Sequence, residues 1–186
     1  MLQKELEKNN ISYKYFHLLS KNNSVVSSWH ENKLISILIR KIRSLKNNWL
    51  GSVIKITTRL LNVLADAQIT TGLNKRLKTH DVIIYDRYFY DILVILAFDF
   101  PHLSDFILSF SRLIKHPDII IIFQVEPETA VNRKAEHNLK QAKIYCQIYN
   151  HLADKLGIEP IDAQQPIEAI KMEILNKLPP KLIQKL

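Results

Sequence analysis

The sequence predicts an α/β fold built on a parallel sheet, and three observations carry that prediction. Two short apolar runs, Val82 to Tyr85 and Ile119 to Phe123, are β-branched or aromatic and too short for helices. Segments of helical period lie between and around them, the pattern that covers both faces of a sheet through right-handed crossovers. Each run ends in charge, with Asp86-Arg87 after the first and Glu126-Pro127-Glu128 after the second. Open α/β sheets bind ligands beyond the carboxyl ends of their strands, so chemistry is expected at those polar ends.

In chain order, Leu2 to Lys8 has helical spacing and stops at Asn9-Asn10. Ile11 to Leu19 reads as a strand through its aromatic bulk, and Ser20 to Ser28 as a polar loop at that strand's end. From Glu31 to Leu64 two apolar stripes alternate with cations: Leu34, Leu38, Ile42 and Leu45, then Trp49, Val53, Ile56, Leu60 and Leu64, with a break expected at Gly51. A shorter helix, Ala65 to Lys78, leads to the strand at Val82. After it, Asp91 to Asp99 is strongly apolar, and Pro101 opens a helical pattern of Leu103, Phe106, Phe110 and Leu113. Asp118 to Val125 is expected as a fully buried strand. Pro127 starts a helix carrying Val131, Arg133, Lys134, Glu136 and His137. Leu139 to Leu156 forms an amphipathic helix closed by Gly157. Ile158 to Ile161 is a last short strand. Pro166 then opens a helix that stops at Pro179-Pro180.

Composition sets the outer limits. A chain of 186 residues, 47% apolar and 24% charged, is ordinary globular usage and fits a single domain over residues 1–186. Lys and Arg exceed Asp and Glu by 8, which predicts attraction to polyanions without choosing among them. One cysteine, Cys146, excludes an internal disulfide, and Met1 to Asn10 lacks the apolar core of a signal peptide, so the cytoplasm is the expected compartment. No apolar run reaches the roughly 20 residues that span a bilayer. The basic stretch Glu31 to Leu64 could lie on an anionic membrane surface, although such stripes ordinarily pack on a sheet. The histidines have no metal-ligand spacing, no nucleophile elbow is present, and only net charge speaks for nucleic acid.

At the end of the Val82 run, a carboxylate such as Asp86 can hold hydrated Mg²⁺ or orient a hydroxyl, and Arg87 can fork onto phosphate oxygens. That suggests phosphoryl transfer. A plain surface ion pair would account for the same two residues.

Context favours the first. Asp86-Arg87-Tyr88 after a buried strand, Pro117-Asp118 before Ile119 to Phe123, Glu126-Pro127-Glu128, Arg133-Lys134, Tyr149 and Ile161-Asp162-Ala163 occur in an order and spacing that resemble the thymidylate kinase-like nucleoside monophosphate kinases. The resemblance is firmest from about Lys75 onward. It implies a P-loop NTPase-like three-layer αβα fold, Mg²⁺ with ATP as cofactor, and a nucleoside monophosphate such as dTMP as acceptor. By the same resemblance Asp86 assists Mg²⁺ or the acceptor, Arg87 clamps phosphate, and Tyr88 and Tyr90 lie near the substrate. Arg133 and Lys134 begin a lid over the transferring phosphates, and Asp162 and Ala163 lie beside adenine. A homodimer is compatible with it.

The sequence also departs from that family. Its three glycines, Gly51, Gly72 and Gly157, are none of them followed by lysine, so the phosphate loop G-x-x-x-x-G-K with Ser or Thr is absent. In the resembled fold that loop follows a first strand that becomes the sheet's central one, and the expectation is therefore an N-terminally truncated chain lacking that strand and inactive by itself. Buried strand groups left without a neighbour would cost about 1–3 kcal/mol each. The Arg-Glu-Pro of thymidylate kinases is replaced by Leu18-Leu19-Ser20, and their upstream arginine falls at Ala65-Asp66. A non-catalytic nucleotide-binding or regulatory relative and a peripheral membrane binder stand as alternatives to the kinase.

Overall fold

Two pairs of parallel strands, with helices before, between and after them, make up the computed structural model, which describes residues 2–17, 49–76, 80–133 and 138–183. Helix α1 (Leu2–Lys8) turns at Asn10, whose φ of 53° lies in the left-handed region that asparagine tolerates, into strand β1 (Tyr13–His17). Helix α2 (Trp49–Arg76) leads toward strand β2 (Val82–Asp86), and the two strands pair in parallel from Tyr13 opposite Val82 to His17 opposite Asp86. Ser12 locks the start of this pair. Its hydroxyl donates to the Asp81 carboxylate at 2.8 Å and accepts from the Asp81 amide at 2.9 Å.

The core lies where α2, the β2 exit and the following helices meet. Ile56, Leu60, Val63 and Ala67 of α2 pack with Leu93, Val94, Leu96 and Ala97 of α3 (Tyr90–Asp99), Ile107 and Leu108 of α4 (Ser104–Ser109), and Ile148 and Leu152 of α6 (Leu139–Leu156). Leu93 and Leu96 are wholly buried, each contributing about 2 kcal/mol. Phe98 of α3 stacks on Tyr145 of α6 with ring centres 4.4 Å apart and planes 4° from parallel. Single turns of tight helix, Pro101–Leu103 and Phe110–Leu113, flank α4.

Strand β3 (Phe123–Gln124) and β4 (Ile161–Asp162) form the second pair, with α5 (Pro127–Arg133) and α6 in the crossover. Helices α7 (Ile167–Asn176) and α8 (Pro180–Ile183) close the described chain.

Several expectations need correction. No boundary separates helices at Leu64: α2 is continuous, runs through Gly51, and turns Ile56, Leu60, Val63 and Ala67 inward while Val53 stays 44% exposed. A stretch with no proline and a steady apolar face gives the helix no reason to stop. Asp118 to Val125 is not one fully buried strand. Only Phe123 and Gln124 join a ladder, and Phe123 is 53% exposed. Its partner β4 supplies two residues, and among the described residues no strand lies on its other side, so beyond the Ile122 carbonyl, which accepts from the Ile161 amide at 2.8 Å, Ile119 to Ile121 have little to pair with. The helix after Pro166 does stop ahead of Pro179-Pro180, at Asn176, but Pro180 then begins a further short helix, as suits a residue with no N–H to leave unsatisfied. The loop Ser20 to Ser28, Leu18-Leu19-Ser20, the stretch Glu31 to Asn48 and Lys134 to His137 lie outside the described residues.

Candidate active site

Strand β2 ends at Asp86, and the chain then turns sharply: Arg87 has φ of 60°, a left-handed conformation that a non-glycine residue adopts at a cost. Both Asp86 and Arg87 are exposed, at the carboxyl end of a parallel pair. Two donors from β1 converge on one oxygen. The Tyr15 hydroxyl donates to Asp86 Oδ2 at 2.6 Å, and His17 Nδ1 lies 2.8 Å from the same atom. The hydroxyl of Tyr15, with the smaller contributions of His17 and Arg87, holds the Asp86 carboxyl below the ordinary carboxylate range against a modest burial cost. Asp86 is therefore ionised at neutral pH. An ionised carboxylate only accepts, which assigns the proton to His17 Nδ1.

Tyr88 and Tyr90 point the other way. They are 9% and 4% exposed, and their rings lie 5.1 Å apart inside the core. The Tyr88 hydroxyl donates to the Lys115 carbonyl at 2.6 Å, and the Tyr90 hydroxyl meets His116 Nδ1 at 2.6 Å. Burial pushes the Tyr88 phenol up to about 12 and raises that of Tyr90 as well. The structure thus sets these two residues against the segment that leads to β3, with their hydroxyls engaged.

Asp91, in the first turn of α3, is mostly buried and accepts from the Tyr149 hydroxyl at 2.6 Å. Burial drives its carboxyl upward, opposed by Tyr149 and by the nearby charge of Arg87. Tyr149 also lines a cavity of about 350 Å³ between β3, α5 and α6, whose walls include Phe123, Val125, Tyr145, Cys146 and Arg133. Tyr149 accordingly links the β2 exit to the second strand pair.

At that second pair, Arg133 ends α5 and its Nη1 donates to the Ala163 carbonyl at 3.4 Å. Asp162, the last residue of β4, accepts from the Gln164 amide at 2.8 Å and so shapes the turn, while Thr129 donates to Gln164 Oε1 at 3.1 Å. Arg133, Asp162 and Ala163 are brought together, and Lys134 lies outside the described residues.

The thymidylate kinase family model matches residues 19–174. The chain belongs to the thymidylate kinase family. No curated protein and no solved structure matches it. As a thymidylate kinase-like nucleotide kinase, it carries Asp86, Arg87, Arg133, Asp162 and Ala163 within the matched residues. Tyr15 and His17 precede the match, and sequence reasoning passed over both. Their alternate spacing on a strand was the available signal, but only pairing with β2 reveals their partner. Among the described residues of this kinase-family chain, no three His, Cys, Asp or Glu gather as metal ligands, and no helix is long and apolar enough to cross a membrane.

Proposed function

We propose that this chain carries the nucleotide site for ATP-dependent phosphoryl transfer to a nucleoside monophosphate such as dTMP. The observation that supports it most is the β2 exit, where an ionised, half-exposed carboxylate and an arginine share the carboxyl end of a parallel strand pair. The acceptor in such a reaction is a phosphate oxygen already anionic near neutrality. It needs no base. It needs cations and fixed dipoles that hold it in line and spread the developing charge. Arg87 suits the acceptor phosphate. Arg133, with Lys134 next in the sequence, suits the transferring group, and the turn at Asp162 and Ala163 suits the adenine edge.

Mg²⁺ bound with ATP supplies charge neutralisation between phosphates and usually keeps several waters, so a single ionised carboxylate is a fitting protein ligand. Asp86 is the residue that would hold it.

A second reading, nucleotide binding without turnover, is favoured by one observation: none of the three glycines is followed by lysine, so the sequence has no phosphate loop of that type. Titration calorimetry with dTMP and with Mg-ATP, alongside an assay of ADP formation, separates the two. Binding with turnover, both reduced by Asp86→Ala and Arg87→Ala in variants that remain folded, supports the kinase. Binding with no turnover supports the second reading. A folded chain that binds neither nucleotide removes both.

A further inference from the structure

Strand β1 contributes more to this site than a neighbour for β2. Tyr15 and His17 are two residues apart on one strand, so their side chains share a face of the sheet. The register sets His17 opposite Asp86 and Tyr15 opposite Ile84. From those positions a phenol and an imidazole reach the same oxygen, Oδ2, at 2.6 and 2.8 Å, across 71 and 69 residues of sequence. Asp86 Oδ1 has no hydrogen-bond partner among the described residues.

An aspartate with 48% of its side chain exposed would ordinarily sample several rotamers. Two short donors on one oxygen remove that freedom, because turning either side-chain torsion breaks both bonds. Hydrogen bonds to a charged group are the stronger kind.

We propose that Tyr15 and His17 are positioning residues for Asp86, fixing Oδ2 so that Oδ1 is the oxygen presented to the bound nucleotide and its cation. The inference rests on the nucleotide-site reading of Asp86 given above. Neither donor lies in the segment that matches the thymidylate kinase family, so the match itself says nothing of them. The arrangement makes a chemical demand on position 17: a donor must stand where the imidazole Nδ1 stands. Asparagine meets it, since its amide nitrogen overlays Nδ1, whereas the amide nitrogen of glutamine overlays Nε2 and points past Asp86.

The test is dTMP affinity, measured by calorimetry in the presence of MgCl₂, for the full chain and for Tyr15→Phe, His17→Asn and His17→Gln, with thermal melts to verify folding. The expected result is about tenfold weaker binding for Tyr15→Phe and His17→Gln, and near-native binding for His17→Asn. A role confined to packing the strand would not sort asparagine from glutamine in that order. Binding by the wild type that Tyr15→Phe and His17→Gln leave unchanged, or equal losses in the two His17 variants, overturns the positioning role alone. A folded wild type that binds no dTMP overturns the nucleotide reading and this inference together.

Discussion

Asp86, at the end of β2, and Asp91, in the first turn of α3, lie five residues apart and are driven in opposite directions. Tyr15 holds Asp86 below the ordinary carboxylate range, and burial lifts Asp91 above it despite the hydrogen bond from Tyr149. Neighbouring carboxyls separated in this way are a common mark of functional sites. For stability the signs differ. Asp86 favours the folded state once ionised, and that contribution is lost as pH falls through its lowered folded value. Asp91 binds its proton more tightly when folded, so stability declines as pH rises from the ordinary carboxylate range through its raised value. Replacing Asp91 with asparagine keeps an acceptor for Tyr149 and removes the buried charge. Urea melts should show Asp91→Asn more stable than wild type by about 1 kcal/mol at pH 7, with the difference vanishing at about pH 3. A difference equal at both pH values would count against a buried, titrating Asp91. Asp86 and Arg87 stood out in the sequence as candidates because they directly follow an apolar run, whereas Arg133 entered only through the family resemblance. Tyr15 and His17 were not legible, since a donor from a distant strand finds its acceptor only through register. Tyr88 and Tyr90 were placed near the substrate by the resemblance alone, and the structure buries both rings beside the apolar run Ile92 to Phe98.

Helix α6 shows how much of an element a sequence can specify when its two ends carry their own signals. Its bounds, Leu139–Leu156, follow the expectation, and both caps explain why. Asn138 accepts from the Gln141 amide at 2.9 Å while the Gln141 side chain accepts from the Asn138 amide at 3.2 Å, a reciprocal capping box. Gly157 takes φ of 65°, and its amide bonds back to Asp154 at 3.1 Å. Space is not the constraint there, for a methyl group at Gly157 would meet nothing within 4 Å. Backbone conformation is. Denaturant titration of Gly157→Ala and of Asn138→Ala should show losses of about 1 kcal/mol each. The two should add, because the caps are about 27 Å apart along the helix. Strand β3 is the contrary case. Ile119 to Phe123 carries every local sign of a buried strand, yet ladder bonds need a partner of matching length, and β4 offers only Ile161 and Asp162. Local sequence can state a preference for extension; it has no means of stating how many neighbours will be present.

At the level of the whole molecule, parallel strands alternating with helices bear out the α/β reading, and membership of the thymidylate kinase family places it among nucleotide kinases. The described residues divide their strands into two pairs instead of one continuous sheet, so each strand has a single strand neighbour among them. Net charge was legible from the first count, but where an anion would settle depended on which strand ends the fold brings together. The pairing of β2 with β1 alone among the described residues has a consequence in time. In a strand bonded on one side, successive amides face alternately toward and away from the neighbour. The Val82 amide donates to the Ser12 carbonyl at 3.1 Å, which sets the phase: Ile84 faces β1, while Ile83 and Tyr85 face away. Placed in heavy water, the chain should therefore take up deuterium along β2 as a two-beat pattern, slowly at Val82 and Ile84 and quickly at Ile83 and Tyr85. Uniformly slow labelling across Val82 to Tyr85 would mean that the far edge of β2 is also covered in solution.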